Sequence, residues 1–489
     1  MPELELIAAR REKLARLRER GINPYPYAFS RTHTAEELHR TYGGLPPGQH
    51  TGVGVAVAGR LMGLRKMGRA TFADLHDRTG RIQIFAAPQS LGPEAYEFWV
   101  EVLDIGDLLG VRGEVFTTKT GELSVAAAEM VILAKALRPL PEKWHGLRDV
   151  ETRYRERTLD FVANPKARKI LLKRAQILRA IRNYLDERGF VEVETPILQS
   201  IPGGALARPF ITHHNELDRD LYLRIAPELY LKRLLVGGLE KVYEIGRNFR
   251  NEGISSEHNP EFTALEVYEA YTDYQGMMEL AEGLIETCVL AVAGTTRLEY
   301  QGRWIEFARP WRRIPLLELV AEVTGCDVEK PLPELWAEAE RRGISIPEPL
   351  RRGPKGKVIE HLLEACAEKT LWHPTFVLDY PLDISPLAKR KRDRPDLTER
   401  FELYVAGREV ANAFSELNDP DEQRERFWAQ EKLRVQGDEE AQRIDEDFLR
   451  DLELGMPPAG GIGIGIDRLT MILTDSPSIR EVLAFPLLR

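Results

Sequence analysis

The rhythm of apolar and polar positions changes along the chain, and each change predicts a different kind of element. Residues 3 to 20 follow a helical pattern closed by Gly21, with Pro24 and Pro26 beyond it, which predicts a helix. Arg10, Arg11, Lys13, Arg16, Arg18 and Arg20 make it basic, partly offset by Glu3, Glu5, Glu12 and Glu19. A solvated helix is the default reading, and a helix touching RNA is the minority one. From about Val53 short β runs take over: "VGVAVAGRLMGLR", "RATFADLHD", "RIQIFAA", "DLLGVRGEVFTT" and "ELSVAAAEMVILAKAL". One helical piece, "GPEAYEFWVEVL", sits between the third and fourth. Beyond residue 165, helical and strand patterns alternate. "ARKILLKRAQILRAIRNYLDERGF" reads as a helix ended by Gly189, and "VEVETPIL" as the strand after it. Residues 276 to 293, 314 to 323, 333 to 342 and 356 to 370 read as further helices.

Five short strands with one helix fit a small Greek-key barrel of the OB type, a fold that commonly binds single-stranded nucleic acid. Phe72 and Phe85 could offer stacking surfaces there, although most aromatics of a small barrel fill its core. The expected organisation is α+β. It comprises a helical extension (1–50), the barrel (51–137), a proline-bearing charged connector (138–165) and a mixed domain (166–489).

Composition narrows the partners. The net charge of -9 excludes a uniformly basic nucleic-acid coat but not a local basic patch. Cys288, Cys326 and Cys366 match no metal spacing, and a reduced, cytoplasmic setting is expected. No apolar run suggests a secretory signal or a membrane span.

Three stretches interrupt their apolar pattern with groups that can do chemistry. "VYEIGRNFRNEGISSEHNPEFTALEVYEAY" (242–271) reads as a long antiparallel hairpin. Alternation puts Asn248, Arg250 and Glu252 on one face of its first strand, and Phe262, Ala264, Glu266 and Tyr268 on one face of its second. The two faces are either a solvated surface or the wall of a cavity. "TERFELYVAGREVANAFSELND" breaks a strand pattern with Glu402, Glu409, Asn412 and Glu416. Glu402 and Glu409 fall on separate strands if Ala406 and Gly407 turn the chain. Such a pair repels unless a cation lies between, and hard divalent ions share carboxylates with phosphates, though surface carboxylates are commoner than ligands. "AGGIGIGIDRLTMIL" alternates glycines at 461, 463 and 465, which does not match G-x-G-x-x-G. It strips one strand face of side chains, and Arg468 follows at a helix start.

Taken together, these stretches resemble the class II aminoacyl-tRNA synthetases, most closely the bacterial lysyl-tRNA synthetases. "FRNEGISSEHNPEF" resembles motif 2 (near 242–271), "GIGIGIDRL" motif 3 (near 459–489), and the helix with "FVEVETPIL" motif 1 (near 175–198). The resemblance covers nearly the whole chain. It implies a five-stranded OB-type anticodon-binding barrel and a class II catalytic domain built on an antiparallel sheet flanked by helices. The activity implied is ATP-dependent activation of lysine and its transfer to the 3′ end of tRNA(Lys), by a homodimer. By this resemblance Arg250 and Arg468 are catalytic and bind ATP with Glu252, His258, Asn259 and Phe262. Gly204, Glu228, Arg250, Glu266, Tyr268, Asn412 and Glu416 bind lysine. Glu402 and Glu409 hold magnesium. Arg60, Phe72, Gln83 and Glu122 read the anticodon. Glu257 stands where a basic residue is expected. The rival readings are a related synthetase for aspartate or asparagine, a ligase that attaches lysine to protein, and a non-enzymatic RNA-binding or regulatory paralogue.

Overall fold

The computed structural model describes all residues except 1, 2, 141–146, 148, 439 and 489. It divides into two compact units, Met1–Arg148 and Asp149–Arg489.

In the first unit the strands His50–Met67, Ala70–His76, Arg81–Ala86, Leu123–Ala134 and Leu108–Thr117 close, in that order, into a barrel. Inward-facing Val57, Leu61, Ile84, Val111, Val125 and Ile132 are wholly buried or nearly so. Each such side chain contributes about 1.5–3 kcal/mol by leaving water. The N-terminal helix Glu3–Glu19 docks on this unit. Arg10 donates to the carbonyls of Ile105, Ala136 and Arg138, Lys13 pairs with Asp104 and Arg16 with Glu101. Much of its basic charge therefore holds the helix in place.

Of the stretch expected as a connector, residues 141–146 and 148 lie outside the described residues. Its remainder includes two short helices of the second unit, Val150–Arg155 and Arg157–Ala163. Buried Arg157 binds Asp160 and the carbonyls of Glu481, Leu483 and Ala484.

The second unit is built on an eight-stranded sheet. Its order is Arg312–Pro315, Thr375–Leu378, Arg400–Val405, Arg408–Ser415, Ala459–Gly465, Glu261–Ala270, Lys241–Phe249, Val191–Glu192. The six central strands run antiparallel, and one parallel pair lies at each edge. Helices Pro165–Asp186 and Tyr274–Ala293 share a core with one face of this sheet, where Tyr243, Leu265, Val267, Ile462 and Ile464 are buried. The opposite face is left for polar chemistry. Residues 314–384 add a small helical body with its own core. No described helix is long and apolar enough to cross a membrane.

Candidate active site

A cavity of about 610 Å³ opens on the polar face of the large sheet. All but one of the second-unit residues singled out from the sequence line it. The exception is Glu416, 1% exposed and set behind the wall. The hairpin register explains the convergence. Asn248 faces Phe262, Glu244 faces Glu266 and Val242 faces Tyr268, so Phe262, Ala264, Glu266 and Tyr268 share the cavity side while Leu265 and Val267 enter the core.

One detail of the expected geometry changes. The first strand ends at Phe249, so Arg250 and Glu252 lie in the loop beyond it rather than on a strand face. The loop still delivers both to the cavity, because Arg250 N–H donates to the Pro260 carbonyl and holds the chain across the hairpin. The Arg250 guanidinium carbon sits 5.0 Å from the Phe262 ring centre. Its Nε is buried with no partner among the described residues. Burial lowers the Arg250 pKa, against the pull of Glu252 and Glu409. The group stays charged, because arginine titrates far above neutrality.

On the neighbouring strands, Ala406 and Gly407 both adopt positive φ and turn the chain between Glu402 and Glu409. Arg468 Nη1 donates to the Glu409 carboxylate at 3.0 Å and to its carbonyl at 2.9 Å. Its Nη2 lies 3.3 Å from His258 Nε2. Burial opposes the charge of Arg468, but Glu409 and Glu257 outweigh it and raise the pKa. His258 Nδ1 is in turn 3.0 Å from Ser255 Oγ, so the loop after the first strand is tied to the helix that carries Arg468. Glu257 pairs with Arg408 at 2.9 Å, so the acidic residue standing where a basic one is expected is neutralised by an arginine from the strand Arg408–Ser415.

Glu402 is clamped by Arg400 Nη2 at 2.6 Å and by the hydroxyls of Tyr380 and Tyr404 at 2.8 and 2.7 Å. Burial raises its pKa, Arg400 lowers it and the charge of Glu409 raises it again. Glu402 thus senses the charge of Glu409 across the turn. Asn412 lies opposite Glu402 in the register and accepts from Arg400 Nε at 3.3 Å.

At the closed end the pocket is acidic. The Tyr268 hydroxyl donates to Glu266 at 3.0 Å. Burial, then the charge of Glu228, pushes the Glu266 carboxyl up to about 8. Glu228 opens the helix Glu228–Val236 and faces Gly204, whose φ of 85° and contact with the Glu228 Cβ leave no room for a side chain. A Cβ at Gly461 would collide with the Glu416 carboxylate and the Tyr268 ring, whereas one at Gly463 or Gly465 would meet its neighbours only at ordinary van der Waals distance. The first of the alternating glycines therefore serves packing, and the next two bare the cavity wall.

In the barrel unit the Phe72 ring packs at a tilt against Phe85, centres 5.2 Å apart, and Phe85 meets Phe116 edge-on at 5.7 Å. His50 continues the row at 5.0 Å from Phe116. Gln83 is buried and donates to Ser124 at 2.9 Å, Glu122 pairs with Arg81, and Arg60 donates to the Gly106 carbonyl at 2.7 Å.

Sequence reasoning missed the groups that hold these side chains: Lys232, Tyr380, Arg400, Tyr404 and Arg408. One signal was available. Glu228 and Lys232 stand four apart in a helix, a spacing that brings side chains together.

Residues 149–489 match the family described as tRNA synthetases class II (D, K and N), and residues 55–133 match the OB-fold nucleic acid binding domain. The lysine–tRNA ligase of Pelotomaculum thermopropionicum is 56% identical, the alignment covering 99% of this chain and 95% of that one. Those of Carboxydothermus hydrogenoformans and Moorella thermoacetica are 54% and 55% identical, each covered over 98% of its length.

Proposed function

The chain belongs to the lysine–tRNA ligases, within the class II tRNA synthetases for D, K and N, and from that premise we propose how its cavity works. Lysine and ATP meet on the polar face of the sheet. A lysine carboxylate oxygen bonds to the α-phosphorus of ATP, the bond to pyrophosphate breaks, and lysyl-adenylate remains. A hydroxyl at the 3′ end of tRNA(Lys) then attacks the acyl carbon and AMP leaves.

Such a displacement asks for positioning and neutralised charge more than for proton transfer. Arg250 bridges the lysine carboxylate and the α-phosphate, since a planar fork suits two oxyanions. Phe262 stacks on the adenine and Glu252 accepts from its amino group, with Arg468 on the other side reaching the terminal phosphate. His258 and Asn259 complete the loop contacts. The buried, partner-free Arg250 Nε and Asn259 Oδ1 support this, because each leaves a polar atom to be satisfied by a ligand. Asn412, which accepts from Arg400 and lines the cavity beside it, orients the lysine side.

Glu402 and Glu409 fit magnesium: two carboxylate groups face one cavity from adjoining strands, and the charge of Glu409 raises the Glu402 pKa. A hard divalent ion bound beside the phosphates would be held by these two carboxylates. Bound there, magnesium supplies charge neutralisation for the phosphates.

The acidic closed end carries the lysine reading. Glu266, with Tyr268, receives the ε-ammonium while Glu416 adds its charge from behind the cavity wall, and Glu228 with the Gly204 backbone receives the α-ammonium. An ammonium leaving water needs such pairing, and an aspartate side chain would be repelled. The test is ATP–pyrophosphate exchange across the twenty amino acids. Lysine alone is expected to drive it, and exchange driven by aspartate would reject the assignment.

Homodimerisation is supported by exposed Val191, Ile197 and Leu198 around Pro196, and cytoplasmic placement by the three free cysteines. The barrel takes the anticodon, its row of rings offering stacking faces with Arg60, Gln83 and Glu122 alongside.

A further inference from the structure

Behind the acidic end lies a cation that the lysine reading does not use. Lys232 is wholly buried, with its Nζ 2.7 Å from Glu228 and 2.5 Å from Glu416. It also sits 5.3 Å over the Phe414 ring. Both Glu416 oxygens are buried without a regular hydrogen bond among the described residues, and this ammonium is the cation that pairs with the carboxylate. Glu266, by contrast, accepts from the Tyr268 hydroxyl and forms no ion pair among the described residues.

Burying an ammonium between two carboxylates is costly, and a packed apolar side chain would often do as well for stability. The charge count suggests why it is there. When a bound cation holds all three ionised, Glu228, Glu266 and Glu416 bring three negative charges and Lys232 removes one, leaving two. Free lysine brings two ammonium groups, while its carboxylate is matched separately by Arg250.

We propose that Lys232 is a built-in counter-ion that fixes the charge of the amino-acid pocket, locking Glu228 and Glu416 in place so that the pocket matches a doubly cationic substrate. It is a positioning and specificity-determining residue, acting through the two carboxylates. The proposal rests on the lysine reading above. The charged groups facing the cluster are Glu228 on its own helix, Glu266 and Tyr268 on one strand, Glu416 at the end of another, and Arg224, Arg250 and Arg400 at its edge. Burial opposes the charge on Lys232, but Glu228 and Glu416 together raise its pKa, so it stays protonated. Without it, the two carboxylates repel across the vacated site and hold protons to higher pH.

Lys232→Gln keeps hydrogen-bond donors and removes the charge. Its lysine KM is expected to rise about tenfold or more at neutral pH, with ATP KM within about twofold, as when one member of a buried ion pair is lost. The pH at which lysine KM begins to fall on the alkaline side should move upward, and Lys232→Arg should return both lysine KM and that pH toward the unsubstituted values. Equal rises in lysine and ATP KM, or a lowered Tm with unchanged lysine KM, would overturn the proposal by showing a purely structural lysine. If the glutamine variant does not fold, the arginine variant decides. Lysine KM within about threefold of the parent with the same pH limb supports it, and a loss of about tenfold confined to lysine in a protein of normal Tm overturns it. Exchange that does not depend on lysine in the unsubstituted chain would be a failure of the function reading itself, seen before any variant is made.

Discussion

At the scale of single residues, the cavity is a set of side chains held against their preferences. Glu266 is the clearest case, a carboxyl pushed up to about 8 by burial and by Glu228. A folded-state pKa above the unfolded one means that the native protein binds the proton more tightly. The resulting stability is present below the ordinary glutamate range and is lost as pH rises through about 8. Ligand-free protein should therefore lose Tm between about pH 4.5 and 8. Lysine should reduce that loss by supplying the missing cation, and Glu266→Gln should flatten it; thermal scans with and without lysine at both ends of the window measure this. The same substitution should weaken lysine binding by roughly 3–5 kcal/mol, the cost of breaking a buried charge pair, with ATP binding largely kept. Parallel titrations of the two substrates check it, and equal losses would mean that Glu266 has been placed wrongly.

At the scale of elements, strands and loops divide the labour. The hairpin strand Glu261–Ala270 fixes Phe262, Glu266 and Tyr268 by alternation alone. The loop between the strands carries Arg250, Glu252 and His258 and needs ties to Arg408 and Arg468 to hold its course. The glycine strand Ala459–Gly465 contributes by what it lacks. Gly461→Ala should force the Tyr268 ring and Glu416 apart, costing about 1–3 kcal/mol as an overpacked site does. The loss should fall on lysine KM, whereas Gly463→Ala, whose Cβ would make only ordinary van der Waals contacts, should cost less. Steady-state kinetics of the two variants separate the cases.

At the scale of the whole molecule, each unit has its own core and its own candidate chemistry. Phe72→Ala should weaken tRNA binding by about 1–3 kcal/mol, the worth of one stacked base. The effect should appear in tRNA charging far more than in ATP–pyrophosphate exchange, and the ratio of the two rates measures it. The sequence by itself determined the barrel, the central hairpin, the turn at Ala406–Gly407 and the family. These rest on period, on turn residues and on motif order, all of which are local and survive without coordinates. Only the tertiary structure decided that Arg250 stands beyond its strand, that Arg408 answers Glu257, and that Lys232 sits between Glu228 and Glu416. Lys232 and Glu416 are far apart in the chain, and a lysine in a helix reads as a solvated residue until the fold closes over it. The reason is physical: alternation records which face a side chain takes, but the field acting on a charge is set by groups that only the packed sheet brings within a few ångströms.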